Sequence, residues 1–254
     1  MNPLVRRADD ESRTAASQVD QFFRQVEQVL GWVPDPLRHL IAPTRIGLAA
    51  LERQTREFQE RIARLWDQPG DSDRLRQVGE RWVAEVGDVL GDIAGGIAPD
   101  KLRTTVEWEG SAARAYLITV PPQAAGLTAV KDIANQLRAS LNSLANSIDV
   151  FWTSIALALA GLVVGAVAAI ATACTVVGIP AAIAALATAV AASLAVVSAT
   201  VLALESHFNT IETEQTAIRQ KVRDLGTTWS MPDTARLTDA SVVDGDGSDW
   251  RPGS

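Results

Sequence analysis

The stretch VFWTSIALALAGLVVGAVAAIATACTVVGIPAAIAALATAVAASLAVVSATVLAL, residues 150–204, runs for 55 positions without Asp, Glu, Lys, Arg, His, Asn or Gln. A helix built from it is apolar on every side and has to be enclosed by protein or by lipid. It has one clear break, Gly178-Ile179-Pro180. Each side of the break holds roughly 25 residues, about 37 Å of helix and enough to cross a hydrocarbon core with some tilt. The economical reading is a helical hairpin built for a membrane. The competing one is an apolar hairpin buried inside a larger soluble helical bundle.

Small residues recur every four positions on both arms. Gly161, Gly165, Ala169 and Ala173 form one row, and Ala181, Ala185, Ala189 and Ser193 form the other. In lipid such rows let two backbones approach closely, which compensates for the missing hydrophobic drive between helices. Gly178 and Pro180 mark the turn. The second arm is dominated by alanine, which yields less transfer energy than the Leu, Ile and Val of the first arm, so insertion is expected to be conditional on oligomerisation or a partner. The nearest Lys and Arg, Lys131 and Arg138 before the run and Arg219, Lys221 and Arg223 after it, lie beyond acidic Asp149 and Glu205. They indicate only that both ends of the hairpin lie on one side.

Working outward, Leu127, Val130, Ala134, Leu137, Leu141, Leu144 and Ile148 step by three and four into the run. Leu204, Phe208, Ile211, Gln215, Ile218, Val222 and Leu225 step out of it in the same way. Two heptad-striped flanks of about 22 residues meeting at a hairpin predict an antiparallel stalk with a greasy tip, residues 127–148 against 204–225. Upstream, helical spacing predicts helices over residues 11–30, 44–66 and 73–97, with Leu75, Val78, Trp82, Val86, Val89 or Leu90, and Ile93 on one side of the third. Residues 111–119 read as helical until Pro121-Pro122 interrupts them. Past residue 230 the chain turns to Asp, Gly, Ser and Thr, the composition of a disordered acidic tail.

The expected fold is therefore all-α: an elongated helical bundle with a central antiparallel helix pair and a long apolar helical hairpin. Its divisions are an N-terminal helical region (1–69), a second helical region (70–149), the hairpin (150–204), a return helix (205–229) and the tail (230–254).

Composition narrows the function. The chain of 254 residues is 47% apolar with a net charge of −7, ample for a core and without the basic stripe that nucleic acid requires. Its single cysteine, Cys174, excludes an internal disulfide framework. Residues 1–20 are charged and lack the apolar segment of a signal peptide, so any export is expected to proceed without a cleaved leader. His39 and His207 are the only histidines. No Cys-x-x-Cys, His-Glu-x-x-His, phosphate loop or nucleophile elbow is present. A non-enzyme is expected, with no cofactor, metal or small-molecule substrate, and with membrane lipid or another helical protein as partner.

Trp108-Glu109-Gly110 follows a helix that opens at Gly70-Asp71-Ser72-Asp73-Arg74-Leu75-Arg76 and carries Trp82. It precedes Ser111-Ala112-Ala113-Arg114-Ala115-Tyr116. Over residues 71–148, about a third of the chain, this arrangement resembles the WXG-motif family of type VII secretion substrates and their longer actinobacterial relatives. The resemblance implies that Trp108 and Gly110 sit in the turn of a helical hairpin, and that the protein pairs with itself or a relative as a four-helix bundle. Two features depart from the family: Pro121-Pro122 falls where its helix runs unbroken, and its export signal, Tyr followed four residues later by Asp or Glu, is absent. Phe208 with Glu212 is the nearest spacing match. Three functions stay open: a secreted or membrane-delivered protein of the type VII class, a resident membrane-anchored scaffold or secretion accessory, and a soluble pore-forming helical toxin that conceals its hairpin.

Overall fold

A computed structural model describes residues 2–67, 69–98, 100–102 and 111–226. Trp108, Gly110 and the tail from residue 230 lie outside the described residues. The described elements are all helical: α1 (Pro3–Gly31), a 3-10 helix (Asp35–Ile41), α2 (Ala42–Leu65), α3 (Ser72–Trp82), a π turn (Val83–Gly87), α4 (Asp88–Gly96), α5 (Ser111–Thr172) and α6 (Ile179–Asp224). They divide into two units. The first is Met1–Asp73 with Leu144–Asn209; the second is Arg74–Ser143 with the described part of Thr210–Ser254. The two long helices α5 and α6 contribute to both.

The first unit is a bundle of α1, α2 and the two apolar arms. α1 begins eight residues earlier than its periodicity suggests. Asn2 caps it, its Oδ1 accepting from the Leu4 N–H at 2.9 Å, and Pro3 occupies the first turn. Val5, Ala8, Ala15, Val19, Phe22, Val26 and Val29 are buried along it at heptad spacing. The first arm answers with Ile148, Trp152, Ile155, Leu159, Leu162, Ala166 and Ala169, also in steps of three and four. Such matched seams are what left-handed bundle packing needs. α2 adds Leu51, Thr55, Phe58 and Ile62. The buried Thr55 hydroxyl is satisfied by the Leu51 carbonyl at 2.8 Å.

Pairings within this unit set the directions of its helices. The Asn2 side-chain amide donates to Asp149 at 3.0 Å. Farther along α1, Ala15 and Val19 share the lining of one cavity with Leu159 and Leu162. α1 and the first arm therefore run the same way. α2 returns, with Gly47 beside Ile183 near the start of α6 and Trp66 stacked on Trp152 at its end. The connection between α1 and α2 thus lies at the same end of the bundle as the turn between the arms. At the opposite end Ser72, fully buried, donates to Asp149 at 2.6 Å and accepts from Asn2 at 2.6 Å. Trp152 donates its indole N–H to the Pro69 carbonyl at 2.6 Å.

In the second unit the α3–π–α4 segment meets α5 through its glycines. A Cβ on Gly79 would stand 3.3 Å from the Arg138 Cα, and one on Gly87 3.1 Å from the Ala134 Cβ. Of the apolar stripe on this segment, Val78, Trp82, Val89 and Ile93 are exposed, while Leu75, Val86 and Leu90 are half-buried. The π turn inserts an extra residue into the helical repeat between Gly79 and Gly87, which keeps both glycines on the side facing α5. Arg81 and Glu85 pair at 2.9 Å across that junction. The hydrogen bond from Arg81, ahead of its charge, holds Glu85 below the ordinary carboxylate range. α5 and α6 are antiparallel here: the Ser140 hydroxyl donates to Glu214, and Lys221 donates to Gln136 at 2.8 Å.

The break expected at Pro121-Pro122 does not occur, for α5 continues through both prolines. They remove the N–H groups that would reach the carbonyls of Leu117 and Ile118. Ile118 is exposed and Leu117 half-buried, a surface position where a freed carbonyl can bond water in place of the missing N–H.

Candidate membrane-binding surface

Tyr116–Thr172 and Ile179–Asp224 are each long and apolar enough to cross a membrane by length and composition. A core helix of a soluble protein passes the same test, so burial has to decide. In the most apolar window of each, 39% and 28% of the residues are buried. The arms are covered on one side and bare on the other.

The covered side is the heptad seam of the first arm facing Ile179, Ala182, Leu186, Val190, Ser193 and Val197 of α6, together with α1 and α2. Ser193 donates to the Ala158 carbonyl at 2.9 Å across the seam, which satisfies a buried hydroxyl among apolar neighbours. The bare side carries Val150, Leu157, Val164 and Val167 on the first arm and Val196 and Leu202 on the second. On an ordinary soluble bundle those positions would be charged or polar. Here residues 150–204 supply no charge to any face.

The small-residue rows divide between the two sides. Gly165 meets Ala189 so closely that an added Cβ would collide with the Ala189 Cβ. Ala169 and Ala173 are fully buried. Gly161 stands apart from them, with nothing within 4 Å of an added Cβ. Ala181 and Ala185 are exposed, and the second arm packs through the neighbouring row that begins at Ile179 and Ala182. The reason is geometric: at 3.6 residues per turn each step of four residues overshoots a full turn by about 40°, so a fixed four-residue row leaves the contact line within a few turns.

The turn is built as its sequence suggests. α5 ends at Thr172, and Gly178 brings the chain against the Thr172 carbonyl, where any Cβ would collide. Ile179 and Pro180 then open α6, a position where proline's missing N–H costs nothing. Cys174 lies exposed in this turn. Beside it at the same end of the unit, the α1–α2 connection exposes Trp32, Leu37 and Leu40, and the first turn and a half of α2 exposes Ile46. Sequence periodicity assigns Ile46 to its helix but passes over the other three, which fall in a proline-punctuated connection. Leu37 and Leu40, set between Pro36 and Pro43, are the signal in the sequence.

Among the described residues no group of three or more His, Cys, Asp or Glu is gathered for a metal. No family model, curated protein or solved structure matches the chain.

Proposed function

We propose that this chain is a non-enzymatic helical protein of the type VII secretion, WXG-like class that associates with a membrane through its apolar hairpin. The observation that carries the membrane reading is the bare, uncharged outer side of two arms of spanning length. Exposed apolar surface of that extent marks a protein or membrane interaction site. The secretion class rests on the resemblance around Trp108-Glu109-Gly110.

α1 and α2 give the reading its mechanism. Both carry charged outer faces, with Arg53, Arg56, Glu57 and Arg61 on α2, and such faces cannot enter hydrocarbon without large cost. The arms therefore associate through the bare side while the cover is in place, and span only when α1 and α2 come away. That cover also favours a second reading, the soluble toxin that conceals its hairpin until it contacts a target membrane.

The test is flotation of the full chain with liposomes, comparing the wild type with the double substitution Leu157→Lys and Val164→Lys. Both side chains are mostly exposed, so solution stability should change by no more than about 0.5 kcal/mol per site, while flotation is lost. Flotation equal to wild type would remove the hairpin from the mechanism. Recovery from culture supernatant rather than from carbonate-washed membrane separates the secreted protein from a resident scaffold.

A further inference from the structure

We propose that the end of the first unit formed by residues 32–46 and 173–178 is a docking surface for a bilayer bearing anionic headgroups. This deepens the membrane reading above and rests on it. Two elements far apart in sequence make the surface, and both expose large apolar side chains there. Trp32 is 64% exposed, Leu40 64%, Ile46 72% and Val177 91%, with Leu37 and Val176 beside them. An end of a bundle turned to water does not ordinarily collect such side chains. Tryptophan is also a residue enriched at the boundary between headgroups and hydrocarbon.

Charge selects the lipid. Between Glu27 and Glu52 the charged residues are Asp35, Arg38 and Arg45. Asp35 is tied to Arg38 at 2.7 Å, and the turn between the arms supplies no charge at all. This end is thus net positive by one, in a chain of net charge −7. An anionic surface attracts this end and repels the rest of the first unit, which is net negative, and this orients the unit end-on. A bilayer fits the surface better than a protein groove because the two uncharged arms meet at this same end. Docking there places the turn at the lipid boundary and leaves both flanks of the hairpin on one side.

The experiment uses the full chain with an environment-sensitive fluorophore on Cys174, the single cysteine and an exposed one in the turn. Vesicles are of phosphatidylcholine alone, or of phosphatidylcholine with part replaced by phosphatidylglycerol. Expected for the wild type is tighter binding to the anionic vesicles by about tenfold, which is 1.4 kcal/mol, with a blue shift of the label. Leu37→Ser with Leu40→Ser should weaken binding to both vesicles by about tenfold or more, since it removes apolar area from the contact. Its melting temperature should be unchanged. Arg38→Gln with Arg45→Gln should abolish the preference and leave binding to phosphatidylcholine as it was. Equal wild-type affinity for the two vesicles, or a serine variant that binds and shifts the label like wild type, would overturn the inference. If that serine variant binds normally while Leu157→Lys with Val164→Lys does not, only the docking surface is lost and the membrane reading stands. If the wild type floats with neither vesicle, both fall together.

Discussion

The indole of Trp66, at the end of α2, stacks on that of Trp152 in the first arm, with ring centroids 4.7 Å apart and planes 23° from parallel. Trp152 also meets Phe151 edge-on at 5.2 Å and donates to the Pro69 carbonyl. One side chain thus joins the arm, the covering helix and the connection that follows it. Trp152→Ala should destabilise the first unit by about 3–5 kcal/mol, the usual range for emptying a large aromatic site. Trp152→Phe keeps part of the stack, strands the Pro69 carbonyl and should cost less. Denaturant unfolding of the two variants gives the comparison, and equal losses would mean that the stack contributes little.

Gly70 adopts φ +70°, and a Cβ there would lie 3.1 Å from the Ile148 Cδ1. Gly70→Ala is therefore strained in backbone and in packing together. A loss of about 1–2 kcal/mol is expected from the left-handed conformation alone. Pairing it with Ile148→Val should recover only the packing part. Full recovery in thermal melts would show that the backbone conformation carries no strain.

Ser72 accepts from Asn2 and donates to Asp149 while fully buried. Ser72→Ala leaves those two polar groups short of a partner, at a cost of roughly 1–3 kcal/mol. Because Asn2 also caps α1, hydrogen exchange in the first turns of α1 should quicken in the same variant. Unchanged exchange there would separate the cap from the triad.

Gly161 and Gly165 occupy one sequence row but different surroundings. Gly165→Leu should overpack the seam against Ala189 and lower solution stability by about 1–3 kcal/mol. Gly161→Leu, into open space, should stay within about 0.5 kcal/mol in solution and strengthen liposome association by adding apolar area. Equal losses of stability at the two positions would contradict the placement of Gly161 on the bare side.

Much of this was open to reading in the chain. The missing charges of residues 150–204 announce a hairpin, and Gly178-Ile179-Pro180 announces its turn. The stripes around Leu141 and Ile211 announce helices on either side. The side of the hairpin that would be covered was not legible, because a helix apolar all round has no polar face to orient it. The Gly161 row therefore reads the same whether it packs or not. The partner of α1 was hidden too: heptad spacing shows that a helix buries a seam, not which seam it meets. Proline overstated the break at Pro121-Pro122, since its penalty depends on whether the freed carbonyls reach water. The π turn at Val83–Gly87 left no mark in the spacing of Val78, Trp82, Val89 and Ile93.

The absence of lysine and arginine between Arg138 and Arg219 also makes the hairpin invisible to a trypsin-like protease. The helices lying over it are not so protected, since Arg24 on α1 and Arg53 and Arg56 on α2 are exposed. Within the first unit every such cleavage site lies in the cover, on α1, α2 or the connection between them. Digestion there uncovers Leu159, Leu162 and Ala166 on an intact hairpin, turning a bundle with one greasy side into a pair of arms that is greasy all round.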